Sequence, residues 1–382
     1  MKKTAAILIC CVLLLTGCAR TQLAKYDDYM IFGTQARWVY VPSDGAREEA
    51  LHHAIAACAE GIDGALSLSE KDSDVSRLNN ADAGERVEVS AVTYRALTDA
   101  RQVYLETNGA YNPAAGLLVD LWGFSPRHTA ADYRPTMPYD RAEPERELPS
   151  EAYVSLFSSS NLTDFGAVEL SEENGRYFVT KPRTAFAEYG GVRYTMQFNL
   201  GGIGKGSCVD AVYDLLRADG QTAGYYTVGG SSMALLSDPS AADGMWEVSL
   251  NAPRTQFGVS YGSVCVRDTV LSVSGDYEQY YELDGVRYSH IIDPRTGTPV
   301  GKGSHVVCAT VVGGSAAMGD ARATAIVAMD LAEALSYLAA NRDAFGAAFI
   351  WYDAASDRYT VYSGLGDMLF VTAEGLAVEA VV

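Results

Sequence analysis

The sequence predicts an α+β protein of mainly antiparallel sheets with packed helices, and three observations predict it. Stretches rich in β-branched and aromatic residues are separated by short turn-forming runs such as Glu173-Asn174-Gly175. Helical periodicity surfaces only at intervals. The two kinds of segment do not alternate with the regular βαβ rhythm of a parallel sheet. At 382 residues and 48% hydrophobic composition, the chain can bury one large core or two closely joined lobes.

The chain opens with Lys2 and Lys3, an apolar run from Ala5 to Leu15, and Leu15-Thr16-Gly17-Cys18. Residues 1–18 are therefore a processing signal and not part of the fold. The small residues before Cys18 match the lipobox at which bacterial lipoproteins are cleaved and acylated. No later apolar run reaches the ~20 residues that spanning a bilayer needs. The expectation is an extracytoplasmic protein, lipid-anchored to the cell membrane at Cys18, with residues 19–28 as tether and 29–382 as the folded domain.

Residues 29–41 have the aromatic and β-branched content of a strand. Over 47–66, Leu51, Ile55, Cys58 and Ile62 recur at helical spacing. A second helix is capped by Ser90, shares Tyr94, Leu97, Ala100, Val103 and Tyr104 on one face, and stops at Asn108-Gly109. The run at 109–124, GAYNPAAGLLVDLWGF, reads as a loop. Residues 125–149, rich in Pro, Arg, Asp and Glu, read as a surface excursion. Two or three strands over 168–198 lead to Gly201-Gly202-Ile203-Gly204-Lys205-Gly206, read as a turn, and then a helix over 207–218. Strands follow over 225–274, then a Tyr-rich hairpin and the loop SHIIDPRTGTPV. Asp320 lies near the start of a helix running to Met329, Asp330 caps another to Asn341, and strands over 349–371 complete the core.

A formal net charge of -19 repels polyanions over the whole surface, which argues against nucleic acid as a partner. Any phosphate ligand must be held by local chemistry. Of the seven cysteines, Cys10 and Cys11 fall in the signal and Cys18 is the anchor. Cys58, Cys208, Cys265 and Cys308 are scattered in apolar surroundings without metal-binding or redox spacing, and read as small buried hydrophobes.

Three runs can carry chemistry. The glycines at 201–206 would let backbone approach an anion at a helix N-terminus, with Lys205 adding a charge, although glycines packed tightly against a sheet read equally well. Asp320 and Thr324, four apart, share a helix face and offer hard oxygens suited to magnesium; the plainer alternative is a capping carboxylate and a core threonine. His290 precedes an Asp-Pro turn and is one of only five histidines. It is either a general acid or base, or structural. His52 and His53 on the first helix and His128 in the excursion read as solvated, and His305 as packed.

Taken in order, SDVSRLN at 73–79, GAYNPAAGLLVDLWGF at 109–124, FNLGGIGKGSCVD at 198–210, SGDYEQYY at 274–281, SHIIDPRTG at 289–297 and DARAT at 320–324 closely resemble the FAD:protein FMN transferases, the ApbE family. The resemblance implies an ApbE-like, T-fold-like α+β architecture with FAD in a cleft. It implies magnesium held by Asp320, Thr324 and main-chain oxygens of Gly202 and Ala323. FAD contacts would come from Phe32, Asn79, Ala110, Tyr111, Asn112, Asn199, Lys205 and Ile292. His290 matches the family's histidine needed for activity, and His290 and Asp320 are the two candidate catalytic groups. Asn199 and Asn112 stand where the family usually has aspartate, Gly204 where it usually has alanine, and Ser231 where a GGD strand ending is usual. The implied activity is magnesium-dependent attachment of FMN, taken from FAD, to a serine or threonine hydroxyl of an extracytoplasmic flavoprotein subunit, with AMP leaving. The alternatives are a magnesium-dependent FAD pyrophosphatase and a flavin-binding lipoprotein without chemistry. Asp320 is expected to be an exposed cleft carboxylate with little part in packing.

Overall fold

The computed structural model describes residues 23–43, 45–125, 147–254, 259–373 and 377–381. The expected signal with Cys18, and His128, lie outside the described residues.

Nine strands form the central sheet: β1 Ala24–Ile31, β2 Thr34–Tyr40, β3 Gly224–Val228, β4 Ser232–Leu235, β5 Thr269–Gly275, β6 His305–Val312, β7 Gly346–Asp353, β8 Arg358–Ser363 and β9 Ala377–Ala380. Each lies beside the next in chain order, and every neighbouring pair is antiparallel except β8 with β9. The sheet is therefore a meander from which the chain makes long excursions. Between β2 and β3 run α1 Gly45–Leu66, α2 Ala91–Glu106 and α3 Gly201–Ala218; between β6 and β7 run α4 Ala316–Ala328 and α5 Leu331–Asn341.

The strand expected over 29–41 is a hairpin, and β1 begins at Ala24, inside the stretch read as tether. Its turn is Phe32-Gly33, with φ of 51° and 70°. Two central residues with positive φ match the right-handed twist of the flanking strands, but the usual sequence mark is Asn-Gly or Asp-Gly. Phenylalanine hides the turn. Asp63 Oδ2 of α1 accepts the Phe32 N–H at 3.1 Å and holds it. At Asn174-Gly175, where the usual mark is present, the expected hairpin forms between Glu169–Glu173 and Arg176–Thr180.

α4 packs on β5 and β6, α3 runs along α4, and α1 along α3, so the helices cover one face of the sheet. β6 is buried over its whole length. Val306, Ala309 and Val311 join the core under the helices, and Val307, Cys308 and Val312 join a second core on the other face. Neighbours 307 and 308 can share a face because the register slips between Val306 and Cys308. The second core is covered by Trp246–Asn251, Ser260–Val266 and Leu369–Val371, a small antiparallel sheet. All four cysteines among the described residues are free; Cys208 and Cys308 are buried, Cys58 and Cys265 partly so.

Candidate active site

The site is built where α3 meets α4. Asp210 of α3 accepts the N–H groups of Ala316 at 2.7 Å and Ala317 at 2.9 Å, and the Ser315 hydroxyl at 2.9 Å. One helix thus caps the next, satisfying donors that α4 cannot pair internally. The approach requires Gly206: a Cβ there would stand 2.6 Å from the Ala317 nitrogen and nearer still to the Ala316 carbonyl. The glycine run is not a turn before the helix, as its composition suggested, but the first turns of α3 itself. Its glycines serve close packing. A Cβ on Gly204 would meet the Phe32 ring at 3.0 Å, and one on Gly202 would meet Tyr111 at 3.1 Å and Thr324 Oγ1 at 3.5 Å.

Contact between the helices brings the Gly206 N–H to Asp320 Oδ2 at 2.7 Å. From β4, the Ser232 hydroxyl lies 2.7 Å and 2.8 Å from the two oxygens of the same carboxylate. One turn along α4, Thr324 Oγ1 donates to the Asp320 carbonyl at 2.9 Å and lies 3.2 Å from Ser274 Oγ. Asp320 is only 6% exposed, which corrects the expectation of an open cleft carboxylate. Burial pushes its carboxyl up to about 6, against the opposing pull of the Lys205 charge and of hydrogen bonds from Ser232, Ser272 and Gly206. Lys205 Nζ donates to Ser231 Oγ at 2.6 Å.

Tyr111 is 4% exposed and its hydroxyl is buried with no hydrogen-bond partner. Burial, and then the nearby Asp320 charge, push the phenol well up. At His290 the backbone N–H and Nδ1 both face the Gln279 carbonyl, at 2.9 Å and 3.1 Å. A carbonyl only accepts, so Nδ1 carries the proton and Nε2 is left as a lone-pair acceptor. Burial pushes the imidazole down to about 4; the Lys205 charge adds to the fall, while Gln279 and Asp276 oppose it.

Among the described residues no three His, Cys, Asp or Glu side chains gather as a metal site. The donors are instead one carboxylate, one hydroxyl and main-chain carbonyls. Such hard oxygens suit magnesium, which keeps several waters, and do not suit zinc. The Gly202 carbonyl, on the first turn of α3, has a second lone pair beyond any helix bond and so keeps acceptor capacity for a cation. The Tyr111 hydroxyl is buried without a partner within reach of the Asp320 carboxylate's charge. These residues fit the cation.

Contacts and charge join Phe32, Tyr111, Gly202, Lys205, Asp320 and Thr324 into one region. Three expected FAD contacts have amides bonded to backbone. Asn79 donates to the Phe198 carbonyl at 2.8 Å and accepts its N–H at 2.6 Å. Asn112 donates to the Thr163 carbonyl at 2.7 Å and accepts from Ala114 at 2.9 Å. Asn199 Oδ1 accepts the Gly201 N–H at 2.8 Å. Buried Ala110 and Ala323 have only main-chain atoms to offer a ligand, and Ile292 belongs to an apolar cluster with Trp122 and Tyr281. Sequence reasoning read Ser231 only as a departure from the family's strand ending, and missed Ser232 and Ser272. Their signal was a hydroxyl inside strongly apolar strands, which demands a buried partner.

Residues 32–349 match the ApbE family. This chain belongs to the ApbE family. An FAD:protein FMN transferase of Vibrio cholerae is 29% identical over 333 residues, covering 87% of this chain and 89% of the relative. One from Treponema pallidum is 29% identical over 303 residues, covering 77% and 76%. The flavin transferase ApbE structure from Vibrio cholerae superposes with a TM-score of 0.68 at 25% identity, covering 90% of this chain and 97% of that one. The apo flavinyl transferase ApbE of Pseudomonas stutzeri, 24% identical with a TM-score of 0.70 over 92% and 98%, shares the fold. The α+β, mainly antiparallel architecture is thus the ApbE one, and all six motif blocks lie wholly or mostly within the described residues.

Proposed function

We propose that this chain is a FAD:protein FMN transferase that attaches FMN to a serine or threonine hydroxyl of a flavoprotein acceptor. The ApbE relatives carry that activity in their names. The observation that carries the reading here is the α3–α4 contact, which sets the Asp320–Thr324 face beside Lys205 and the start of an 18-residue helix. That is an anion site with a cation site against it, as a diphosphate requires.

The acceptor oxygen forms a bond to the FMN-side phosphorus, the bond from that phosphorus to the bridging oxygen breaks, and AMP leaves. A magnesium ion on Asp320, Thr324 and main-chain oxygens of Gly202 and Ala323 would supply charge neutralisation at the diphosphate. Lys205, at the positive end of the α3 dipole, holds the phosphates. His290 takes the hydroxyl's proton on Nε2: it is neutral at physiological pH, and no described residue bonds that nitrogen. Asp320, with its carboxyl at about 6, is the stronger base of the two, but Gly206 and Ser232 already bond its oxygens, so it is the less available one. The Cys18 lipobox makes the enzyme an extracytoplasmic, membrane-anchored one, and its acceptors extracytoplasmic flavoprotein subunits.

The test is incubation with FAD, Mg2+ and a purified acceptor subunit, followed by gel fluorescence and mass spectrometry of the acceptor. A fluorescent band and a mass gain of FMN less water are expected. FMN and AMP without a labelled band would make the chain a pyrophosphatase; intact FAD would make it a binding protein.

A further inference from the structure

The fold buries a second charged cluster that the proposed chemistry does not use. Asp276, just past β5, is fully buried. Arg254 Nη2 bonds its Oδ2 and lies 2.7 Å from His305 Nε2, which is itself 3.0 Å from that Oδ2. His305 Nδ1 is 2.7 Å from the Gly303 carbonyl, so it holds the proton and Nε2 accepts. One guanidinium nitrogen, with two hydrogens, therefore serves both the imidazole and the carboxylate. Burial alone would raise the Asp276 carboxyl, but the charged hydrogen bond from Arg254 holds it below the usual carboxylate range, as an anion.

An apolar side chain would fill this place at lower cost if packing were the only demand, since burying an ion pair seldom adds stability. What the cluster adds is fixed geometry. The Asp276 N–H donates to the Val307 carbonyl at 2.9 Å, so this end of the turn is pinned to β6 by backbone and to Arg254 by side chain. Three residues on, the Gln279 carbonyl receives both the N–H and Nδ1–H of His290.

We infer that Asp276 is a positioning residue for His290: clamped by Arg254, which His305 in turn orients, it holds the 276–279 turn so that the Gln279 carbonyl keeps the imidazole proton on Nδ1 and leaves Nε2 as the acceptor. The inference rests on the role proposed for His290, but its test needs no turnover. The full chain is labelled with 15N-histidine, and its five imidazoles are read at neutral pH by long-range 15N–1H correlation, His290 being assigned by its loss in His290→Gln. Wild type shows a protonated Nδ1 and a bare Nε2 at His290. Asp276→Asn, which keeps the shape and removes the charge, converts this to a mixture of tautomers. In acceptor labelling its kcat falls about tenfold while the KM for FAD stays within about twofold.

Arg254→Gln, at the more exposed edge of the cluster, is the second variant should Asp276→Asn not fold, and it gives the same mixture with a smaller fall in kcat. An unchanged His290 pattern in either folded variant overturns the inference, and a lowered Tm alone would assign the cluster to stability. Because the tautomer is read without turnover, a wild-type protein that never labels an acceptor counts against the transferase reading and not against this one.

Discussion

Tyr111 and Asp320 reach the site from different elements, and burial acts on both in the same direction: each holds its proton more tightly than it would in water. For Tyr111 the hydroxyl is buried without a partner, a cost of about 1–3 kcal/mol. Tyr111→Phe removes the oxygen and keeps the ring against Gly202, so the Tm of the ligand-free protein should rise by about 1–3 °C in scanning calorimetry. A fall would mean that the hydroxyl is bonded in solution. For Asp320, with its carboxyl at about 6, proton and cation compete for the same oxygens. Mg2+ affinity measured by calorimetry should weaken as pH falls through about 6, and more Mg2+ should push that midpoint lower. Affinity that stays flat across this range would remove Asp320 from the ion. In the metal-free protein the sign reverses. The folded carboxyl binds its proton more tightly than an unfolded one at 3.8, so the stability it contributes is complete below that value and lost as pH rises through about 6.

Elements whose causes lie within their own residues were legible in the sequence. α2 starts at Ser90, whose side chain accepts the Thr93 N–H, and α5 starts with a capping box between Asp330 and Glu333. The four-residue spacing of Asp320 and Thr324 also reads correctly as one helix face. Misreadings occurred where the cause lies far away along the chain. Glycines normally mark a turn, yet Gly206 is glycine because Ala316, 110 residues on, passes beside it; the same approach buries Asp320 among Gly206, Ser232 and Ser272. Gly206→Ala tests this dependence. The new methyl meets backbone on α4, which has no side chain to swing aside, so α3 and α4 must part and the Gly206–Asp320 bond with them. A loss of about 3 kcal/mol or more is expected, read as a lower Tm and weaker Mg2+ binding. Gly61→Ala is the control: its Cβ meets nothing within 4 Å, and helix propensity favours alanine by about 1 kcal/mol.

Across the whole molecule, the chain-order meander supplies a platform on which separate excursions meet. The one between β2 and β3 brings Tyr111 and α3, the one between β5 and β6 brings His290, and the one between β6 and β7 brings α4; β4 and β5 contribute Ser232, Ser272 and Ser274. α4 lies over the middle of the sheet, whereas β1, the strand nearest the proposed anchor, is an outer edge. Anchor and chemistry are therefore separable. Cys18→Ala should move the protein from the membrane to the soluble extracytoplasmic fraction. FMN transfer to a soluble acceptor should stay within about twofold of wild type, because Lys205, His290, Asp320 and Thr324 all come from segments far along the chain from Cys18. Transfer to a membrane-bound acceptor in cells should fall much further, since tethering both partners to one surface raises their effective concentration by orders of magnitude. Fractionation followed by in-gel flavin fluorescence checks all three outcomes. A Cys18→Ala protein that stays with the membrane would remove the lipid anchor, and one that loses transfer to the soluble acceptor would show that the tether shapes the site.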